Sequence, residues 1–361
     1  MTRTILTAAA LCAATGAAHA GGIDRSGQSI AALFEQGNYA EFSLGSVSPS
    51  VSGSVLGVGS GNMADPYWQV GAAYKQQIND NLSYAVIFDQ PFGANVQYSA
   101  GVPYPLATSN ATLETAALTG LLRYRMDNGF GIHGGLRLQR LEARARFPIV
   151  AGYNATADSD YGVGYVAGAS YERPDIALRV ALTYNSKIKT SHTTLETLTA
   201  PVTALVTKTE VETPQSVNLD FQTGIAKDTL IFGGIRWVNW SDFTIDPLIY
   251  RGATGNAFLS YADDTYTYTM GVGRRFTDTW SGSVSLTYED GDSVTPVSNL
   301  GPTSGKFGVT VGARYKNENF SVSTGINYTW IGDATTAIGP LRPKFTDNSA
   351  IGVGVKVGWN Y

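Results

Sequence analysis

The last segment of the chain, Ser349 to Tyr361, alternates between apolar residues and small or polar residues. A period of two predicts a β-strand with one apolar face and one wet face. Such a strand occurs in a membrane barrel and also, half-buried, in a soluble β-protein, so other parts of the chain are needed to distinguish the two. The apolar face consists of Ile351, Val353, Val355, Val357, Trp359 and Tyr361.

Other segments repeat this alternation. It occurs in residues 307–316 and 320–330, which are separated by Asn317-Glu318-Asn319 and are predicted to form a tight hairpin. It also occurs in residues 178–184 and 266–272. These repeats predict a sheet in which every strand has one apolar face.

The N-terminus has the pattern of a secretory signal peptide over residues 1–20. Arg3 precedes an apolar stretch from Ile5 to Ala18, and Ala18-His19-Ala20 forms a small-residue cleavage site. The only cysteine, Cys12, lies inside this segment. We therefore expect an exported mature chain that begins at Gly21 and has no disulfide bond.

Composition limits how such a chain could enter a membrane. Beyond the signal peptide, no apolar run approaches the roughly 18 residues that a membrane-spanning helix needs, so any insertion must use strands. The chain has 41 Gly and 20 Tyr, and only 15% of its residues are charged, which is too apolar a composition for disorder. Its formal charge of −4 argues against a nucleic-acid partner.

The spacing of turns predicts an all-β fold, a transmembrane antiparallel β-barrel over residues 38–361. Six short polar turns alternate with seven long segments, which makes thirteen connections and fourteen strands. A closed barrel satisfies every backbone polar group in lipid. Aromatic residues near the strand ends are predicted to form interfacial girdles: Tyr39, Phe42, Trp68, Tyr74, Trp237, Trp240, Trp280, Tyr328, Trp330, Trp359 and Tyr361.

The segment before the first strand, residues 21–37, has an apolar side formed by Ile23, Ile30, Leu33 and Phe34. Such a segment could fold back into the barrel as a hatch, since a barrel of this size would otherwise stay partly open. A disordered periplasmic tail is the alternative.

Enzymatic signals are weak. The chain has no Gly-x-Ser-x-Gly, no phosphate-binding loop and no His-Glu-x-x-His. A hydrolase would depend on His133 or His192, and Asp158-Ser159-Asp160 or Asp263-Asp264 would need further ligands to hold calcium. We predict no catalytic residue, no metal and no cofactor.

Three of the long segments, 92–110, 143–160 and 186–214, are more apolar than loops that only shield a pore. Exposed apolar loops indicate a site for a hydrophobic ligand or, alternatively, for a protein partner. The residues concerned include Val96, Tyr98, Tyr104, Leu106, Phe147, Ile149, Val150, Leu195, Leu198, Val202, Leu205 and Val206.

Several motifs resemble the FadL/TodX family of outer-membrane transporters for long-chain fatty acids and other hydrophobic compounds. They are Tyr184-Asn185-Ser186 at the end of the run 177–189, Thr213-Pro214-Gln215-Ser216, Trp240-Ser241-Asp242-Phe243 and Gln90-Pro91-Phe92-Gly93. One difference is the absence of an Asn-Pro-Ala tripeptide between Gly21 and Val51, which implies a shortened or rebuilt hatch.

The resemblance implies three functional features. It implies a hatch in the lumen, and a kink in the third strand that opens the wall sideways, at Phe92 and Gly93. Pro91 and Gly93 independently predict a break in strand pairing there. It also implies a hydrophobic ligand-binding groove on two external loops, formed by Phe147, Ile149, Val150, Leu195, Leu198 and Val202.

From these features we expect passive uptake of long-chain fatty acids or other hydrophobic compounds across the outer membrane of a Gram-negative bacterium. The expected partners are the ligand, outer-membrane lipid and lipopolysaccharide, and the barrel is expected to be a monomer. An open diffusion porin for small hydrophilic solutes remains the alternative, and the sequence does not decide which hydrophobic compound is the substrate.

Overall fold

The computed structural model describes residues 23–291 and 295–361, which form one antiparallel barrel of fourteen strands. The signal peptide predicted over residues 1–20 lies outside the described residues. The strands are β1 (Tyr39–Ser50), β2 (Tyr67–Gln77), β3 (Leu82–Asp89, then Gly93–Gln97), β4 (Asn110–Arg125), β5 (Phe130–Phe147), β6 (Tyr153–Arg173), β7 (Leu178–Asn185, then Ile188–Thr199), β8 (Val202–Thr213, then Ser216–Ala226), β9 (Thr229–Val238), β10 (Thr265–Arg275), β11 (Trp280–Glu289), β12 (Lys306–Lys316), β13 (Phe320–Ile331) and β14 (Asn348–Asn360).

The first and last strands close the barrel. β1 pairs with β14 from Tyr39 opposite Asn360 to Ser50 opposite Ser349, and its other edge pairs with β2. Closure removes the free edges that an open sheet would present. The predicted fold class and the predicted number of strands are confirmed.

The outer surface is apolar and much of the interior is polar, unlike a soluble protein. On β14, Ile351, Val353 and Val355 face outward and are exposed, whereas Gly352 and Gly354 face inward. Buried inward residues of β5 include Arg137 and Gln139. This is the pattern of a barrel with a lipid-facing belt.

Most of the predicted aromatic girdle faces outward, but two of its members do not. Trp68, Trp280, Trp330 and Trp359 are exposed on the outer surface. Tyr39 and Trp240 are buried inside, so the prediction was wrong for these two. Composition near a strand end does not reveal which face a residue occupies, because a shift of one residue reverses it.

Two segments predicted as external loops are strands. Residues 186–214 form a long hairpin between β7 and β8, with Ile188 opposite Thr213 and Thr199 opposite Val202, and the connection from β5 to β6 is only residues 148–152. Above the lipid belt both faces of a strand contact water or protein, so the alternation of hydrophobicity disappears while the β-branched residues remain.

The remaining elements are short. They comprise 3-10 helices at Ala31–Phe34, Pro174–Ile176 and Trp240–Asp242, an α-helix, α1, at Leu248–Thr254, and short strands at Gly53–Val55, Val58–Gly59, Thr244–Ile245, Leu259–Ser260, Ala334–Thr335 and Lys344–Phe345. Among the described residues, no helix has the length and apolar character needed to cross a membrane.

The external loops pack together over one end of the barrel around a shared apolar cluster, which we call the lid cluster. Its buried members from the loops are Val51, Val55, Met63, Tyr98, Tyr104, Leu106 and Phe345. Burial raises the pKa of Tyr104 to about 12. Several apolar residues of segment 92–110 are therefore core residues of the lid, and the prediction that they form exposed apolar surface was wrong.

Candidate ligand pathway

The inner segment, residues 23–37, lies inside the barrel and is tied to its wall at both ends. Near its start, Arg236 Nε donates to Asp24 Oδ2 at 2.6 Å. Near its end, Lys75 Nζ donates to the carbonyl oxygens of Glu35 and Gly37 at 2.9 and 2.8 Å. These contacts fix the segment across the lumen.

All four apolar residues singled out in this segment contact the barrel interior. Ile23, Ile30 and Leu33 are buried, and Ile30 and Leu33 pack with inward-facing residues of β2, β3 and β4. The ring of Phe34 lies between two guanidinium groups, 4.7 Å from Arg123 Cζ and 4.8 Å from Arg179 Cζ. Such cation–π contacts hold an aromatic ring in an otherwise polar place.

On the side of the short turns, the inner segment borders a polar cavity of about 490 Å³, which we call the vestibule. Arg123 and Glu172 form an ion pair of 2.8 Å in its wall. Its lining is dominated by charged and amide side chains, including Lys75, Gln77, Asp80, Asn81, Arg125, Arg179 and Gln222. Water is the natural content of such a space.

On the side of the loops lies an apolar cavity of about 50 Å³, bounded by Ile23 of the inner segment. The ring nitrogens of His192 are both engaged there, Nδ1 at 2.7 Å from Asp158 O and Nε2 at 2.8 Å from Thr190 Oγ1. The lining is otherwise mainly aliphatic and includes Ala94, Val96, Leu113, Leu141, Ala143, Ala155, Val211, Ile245, Phe258, Leu259 and Leu300. The chemistry of this lining suits an uncharged apolar ligand.

The barrel wall is interrupted beside this cavity. The ladder between β2 and β3 ends at Ala72 opposite Phe88, and β3 itself breaks between Asp89 and Gly93. Beyond that point the backbone N–H of Val70 donates to the side chain of Gln90, Oε1, at 2.8 Å. The strand break predicted from Pro91 and Gly93 is thus present, and β2 and the upper part of β3 separate there.

A second cavity, of about 110 Å³, lies at this break and adjoins the apolar cavity. The two share Ile23, Ala94, Val96 and Leu300 in their linings. The second cavity is more polar, because Asp24, Arg25, Asp65 and Asn95 also line it. The two cavities therefore lie side by side between the upper lumen and the break in the wall.

Trp240 joins the break to the loop between β9 and β10. Its ring centroid lies 5.7 Å from that of Phe92 and 5.3 Å from that of Phe243, and the side chain is fully buried. Asp264 fastens the same loop by accepting bonds from Trp237, Asn239 and Ser241. Burial alone would raise the pKa of Asp264, but these bonds outweigh it and lower the pKa.

The six residues predicted to form the ligand groove separate into two sets. Phe147, Val150 and Leu198 come together in the lid cluster. Ile149, Leu195 and Val202 are exposed, Val202 to 90%. Successive side chains of a strand point to opposite faces, so Leu195 faces outward while its buried neighbour Glu196 faces the lumen.

Glu196 was not singled out in the sequence, yet it organises the lid. Its buried carboxylate accepts bonds from Tyr153 Oη at 3.0 Å, Thr207 Oγ1 at 2.7 Å and the backbone N–H groups of Ile249 and Tyr250 at 3.0 and 3.2 Å. The N–H groups of Ile249 and Tyr250 lie in the first turn of α1 and have no partner within the helix. A carboxylate at this end of a helix stabilises it. No local sequence pattern links these residues, so reasoning from sequence missed the group.

We expect Glu196→Ala to release α1 from the β7–β8 hairpin. Two of the four donors that lose their acceptor belong to α1, and hydrogen bonds to a charged group contribute about 1.5–3 kcal/mol each, so local opening of α1 should become easier by about 3 kcal/mol. Hydrogen exchange of residues 248–254 measures this. Glu210→Ala on the same hairpin, which loses only an exposed pair with Lys189, is the matched control, and equal exchange in both variants would contradict the assignment.

The described residues contain no group of three or more side chains suited to a metal ion. His133 and His192 are far apart in the barrel: His133 lies beside Thr183, at 3.0 Å, and Phe34, whereas His192 lines the apolar cavity. The geometry is that of a transmembrane β-barrel whose lumen contains residues 23–37 of its own chain.

The comparisons with known proteins agree with this class. A family model described as outer membrane protein transport protein (OMPP1/FadL/TodX) matches residues 23–339, and the chain belongs to this family. This is a family of transporter channels and not of enzymes, as expected from the sequence. The family and the barrel fold indicate the outer membrane of a Gram-negative bacterium.

Solved structures with this fold are similar over nearly their whole length but share little sequence. A Pseudomonas aeruginosa FadL homologue has a TM-score of 0.75 at 14% identity, with 91% of this chain and 92% of that chain covered. The toluene transporters TodX of P. putida and TbuX of Ralstonia pickettii have TM-scores of 0.64 and 0.63 at 13% and 12% identity, with 91% of both chains covered in each case. No curated protein sequence matches the chain.

Proposed function

We propose that this protein carries hydrophobic compounds passively across the outer membrane and releases them sideways through the break in β3. In this proposal the loops capture the ligand, the apolar cavity holds it, and the inner segment acts as a hatch that closes the way to the periplasm. The main observation behind this proposal is the position of the apolar cavity. It adjoins the break in the wall, and the inner segment separates it from the polar vestibule.

The cost of exposing apolar surface to water supports the sideways route. A ligand that moved straight on would enter the vestibule, at about 0.8 kcal/mol for each CH₂ group exposed to water. A ligand that moved through the break would pass only the second cavity, which is smaller than the vestibule, before it reached the lipid that the outer surface of the barrel faces. The lateral route is therefore the easier one for a hydrocarbon chain or ring.

The residues that line the cavity favour uncharged compounds over fatty acids as the transported substrates. Arg144 supplies the one guanidinium group among its lining residues, and the Arg144 side chain is exposed on the outer face of β5. A carboxylate placed there would have no counter-charge within the lining. The names of the toluene transporters with this fold agree with this choice.

The pairing of β1 with β14 and the apolar outer surface support a monomer surrounded by outer-membrane lipid and lipopolysaccharide. The fourteen strands leave no unpaired edge for a second chain between β1 and β14.

The test is uptake of labelled toluene and of a labelled long-chain fatty acid, at limiting concentration, by cells with and without the protein. We expect toluene uptake to depend on the protein. Faster entry of small sugars with unchanged entry of both apolar compounds would favour an open diffusion porin instead.

A larger side chain in the apolar cavity should block this uptake. Ala155 on β6 lines the cavity, and the phenyl ring of Ala155→Phe would occupy the space that the ligand needs. We expect protein-dependent uptake to fall about tenfold or more, because the ligand loses its site. Ala167→Phe on the same strand is the control, since Ala167 faces outward and is exposed; equal loss in both variants would argue against the cavity.

A further inference from the structure

The opening between β2 and β3 is occupied by the first described residues of the inner segment. Asp24 forms an antiparallel bridge with Phe92. On either side of it, Arg25 N–H donates to Pro91 O and Gly93 N–H donates to Ile23 O, both at 2.8 Å. Residues 23–25 therefore take the place beside the upper part of β3 that β2 has left.

Arg25 fills the remaining gap. Its guanidinium carbon lies 4.0 Å from the ring centroid of Tyr67 on β2. A Cβ atom built on Gly93 would lie 2.5 Å from the same carbon, so glycine is needed at this position to leave room for it. Continuing the β2–β3 register would place Tyr67 opposite Gly93, so the guanidinium group stands where the two strands would otherwise meet.

We propose that Arg25 is the gate residue of this opening and that its aromatic partner Tyr67 makes the gate selective for ligands with an aromatic ring. The inference rests on the proposed function, because it assumes that ligands leave through the break. It adds that Arg25 must move for a ligand to leave, and that an aromatic ring on the ligand makes this movement easier.

The selectivity follows from what replaces the contact between Arg25 and Tyr67. A guanidinium group is attracted to the face of an aromatic ring, and more strongly where water is excluded. Arg25 is 8% exposed, so little water is available to solvate it when it leaves Tyr67. An aromatic ligand offers its own ring face to the guanidinium group as it passes, whereas an alkane offers none.

Exchange of one ring for another should favour an aromatic compound over an alkane of similar size by about fivefold in protein-dependent uptake. That ratio corresponds to about 1 kcal/mol, a typical cation–π contribution.

The experiment compares uptake of labelled toluene and n-heptane by cells that carry the full protein or one of four variants. Tyr67→Leu removes the ring that holds Arg25 in the gap, so Arg25 no longer meets the passing ligand, whereas Tyr67→Phe keeps that ring. Gly93→Ala forces Arg25 out of the gap by contact with the added methyl group. Tyr74→Leu, an exposed outward residue of the same strand, is the control. We expect the toluene-to-heptane ratio to fall about fivefold in Tyr67→Leu and Gly93→Ala, and to stay unchanged in Tyr67→Phe and Tyr74→Leu.

An unchanged ratio in both Tyr67→Leu and Gly93→Ala would overturn the gate while leaving the transport proposal intact, and so would an equal loss in Tyr67→Phe. Gly93→Ala keeps the test decisive if Tyr67→Leu fails to insert as a barrel. If the wild-type protein speeds the entry of neither hydrocarbon, the proposed function fails and the gate fails with it.

Discussion

A disulfide bond between positions 24 and 92 should stop the uptake of hydrophobic compounds, and reduction should restore it. Asp24 and Phe92 form a bridge without direct hydrogen bonds between them, and such a pair in antiparallel strands has Cα atoms about 4.5 Å apart, within the range of a disulfide. The bond in Asp24→Cys/Phe92→Cys would hold the inner segment against β3. We expect at least about a tenfold loss of protein-dependent toluene uptake under oxidising conditions if the ligand must pass this point.

The reduced double variant is its own control, because it carries the same losses of the Asp24–Arg236 ion pair and of the Phe92 packing. The two single variants should transport regardless of the redox state. The chain has one native cysteine, Cys12, in the segment expected to be removed, so no native thiol should compete. Equal uptake by the oxidised and reduced double variant would show that ligands leave without separating residues 23–25 from β3.

Deletion of residues 23–37 should convert the protein into an open channel. These residues form no part of the ladder that closes the barrel, so the strands should still assemble. Without them the upper lumen and the vestibule would join into one water-filled passage, since a barrel of fourteen strands is wider than its own side chains can fill. We expect single-channel conductance in a planar bilayer to rise by about tenfold or more.

Ser29→Ala, at an exposed position of the same segment, is the control and should leave the conductance low. A deletion variant that inserts but conducts no better than the wild type would contradict the hatch role. It would show that the lid, and not the inner segment, blocks the lumen.

The sequence predicted those features that depend on neighbouring residues. Alternation in β14 and the other strands reports lipid on one side of each strand, and turn residues mark where strands end, so the barrel and its strand number followed. The break in β3 followed as well, because Pro91 removes a donor and Gly93 weakens pairing.

Features that depend on distant residues did not follow from the sequence. Arg25 meets Tyr67, and Glu196 meets the backbone of Ile249, only because closure of the barrel brings their strands and loops together. Trp240 was predicted at the lipid interface, yet it is buried against Phe92; the Trp-Ser-Asp-Phe motif was the one signal that set it apart. For Leu195 and Leu198 the chemistry is the same and only the side of the strand differs, which hydrophobicity alone does not determine.

The pairing of β1 with β14 has a consequence for biogenesis. Tyr39 and Asn360 are partners across almost the whole length of the chain, so the sheet cannot close until the last strand has arrived. Until then both terminal strands offer unpaired backbone groups, which invite aggregation with other chains. Substitutions that weaken the pairing of β1 with β14 should therefore lower the yield of assembled barrel before they affect transport.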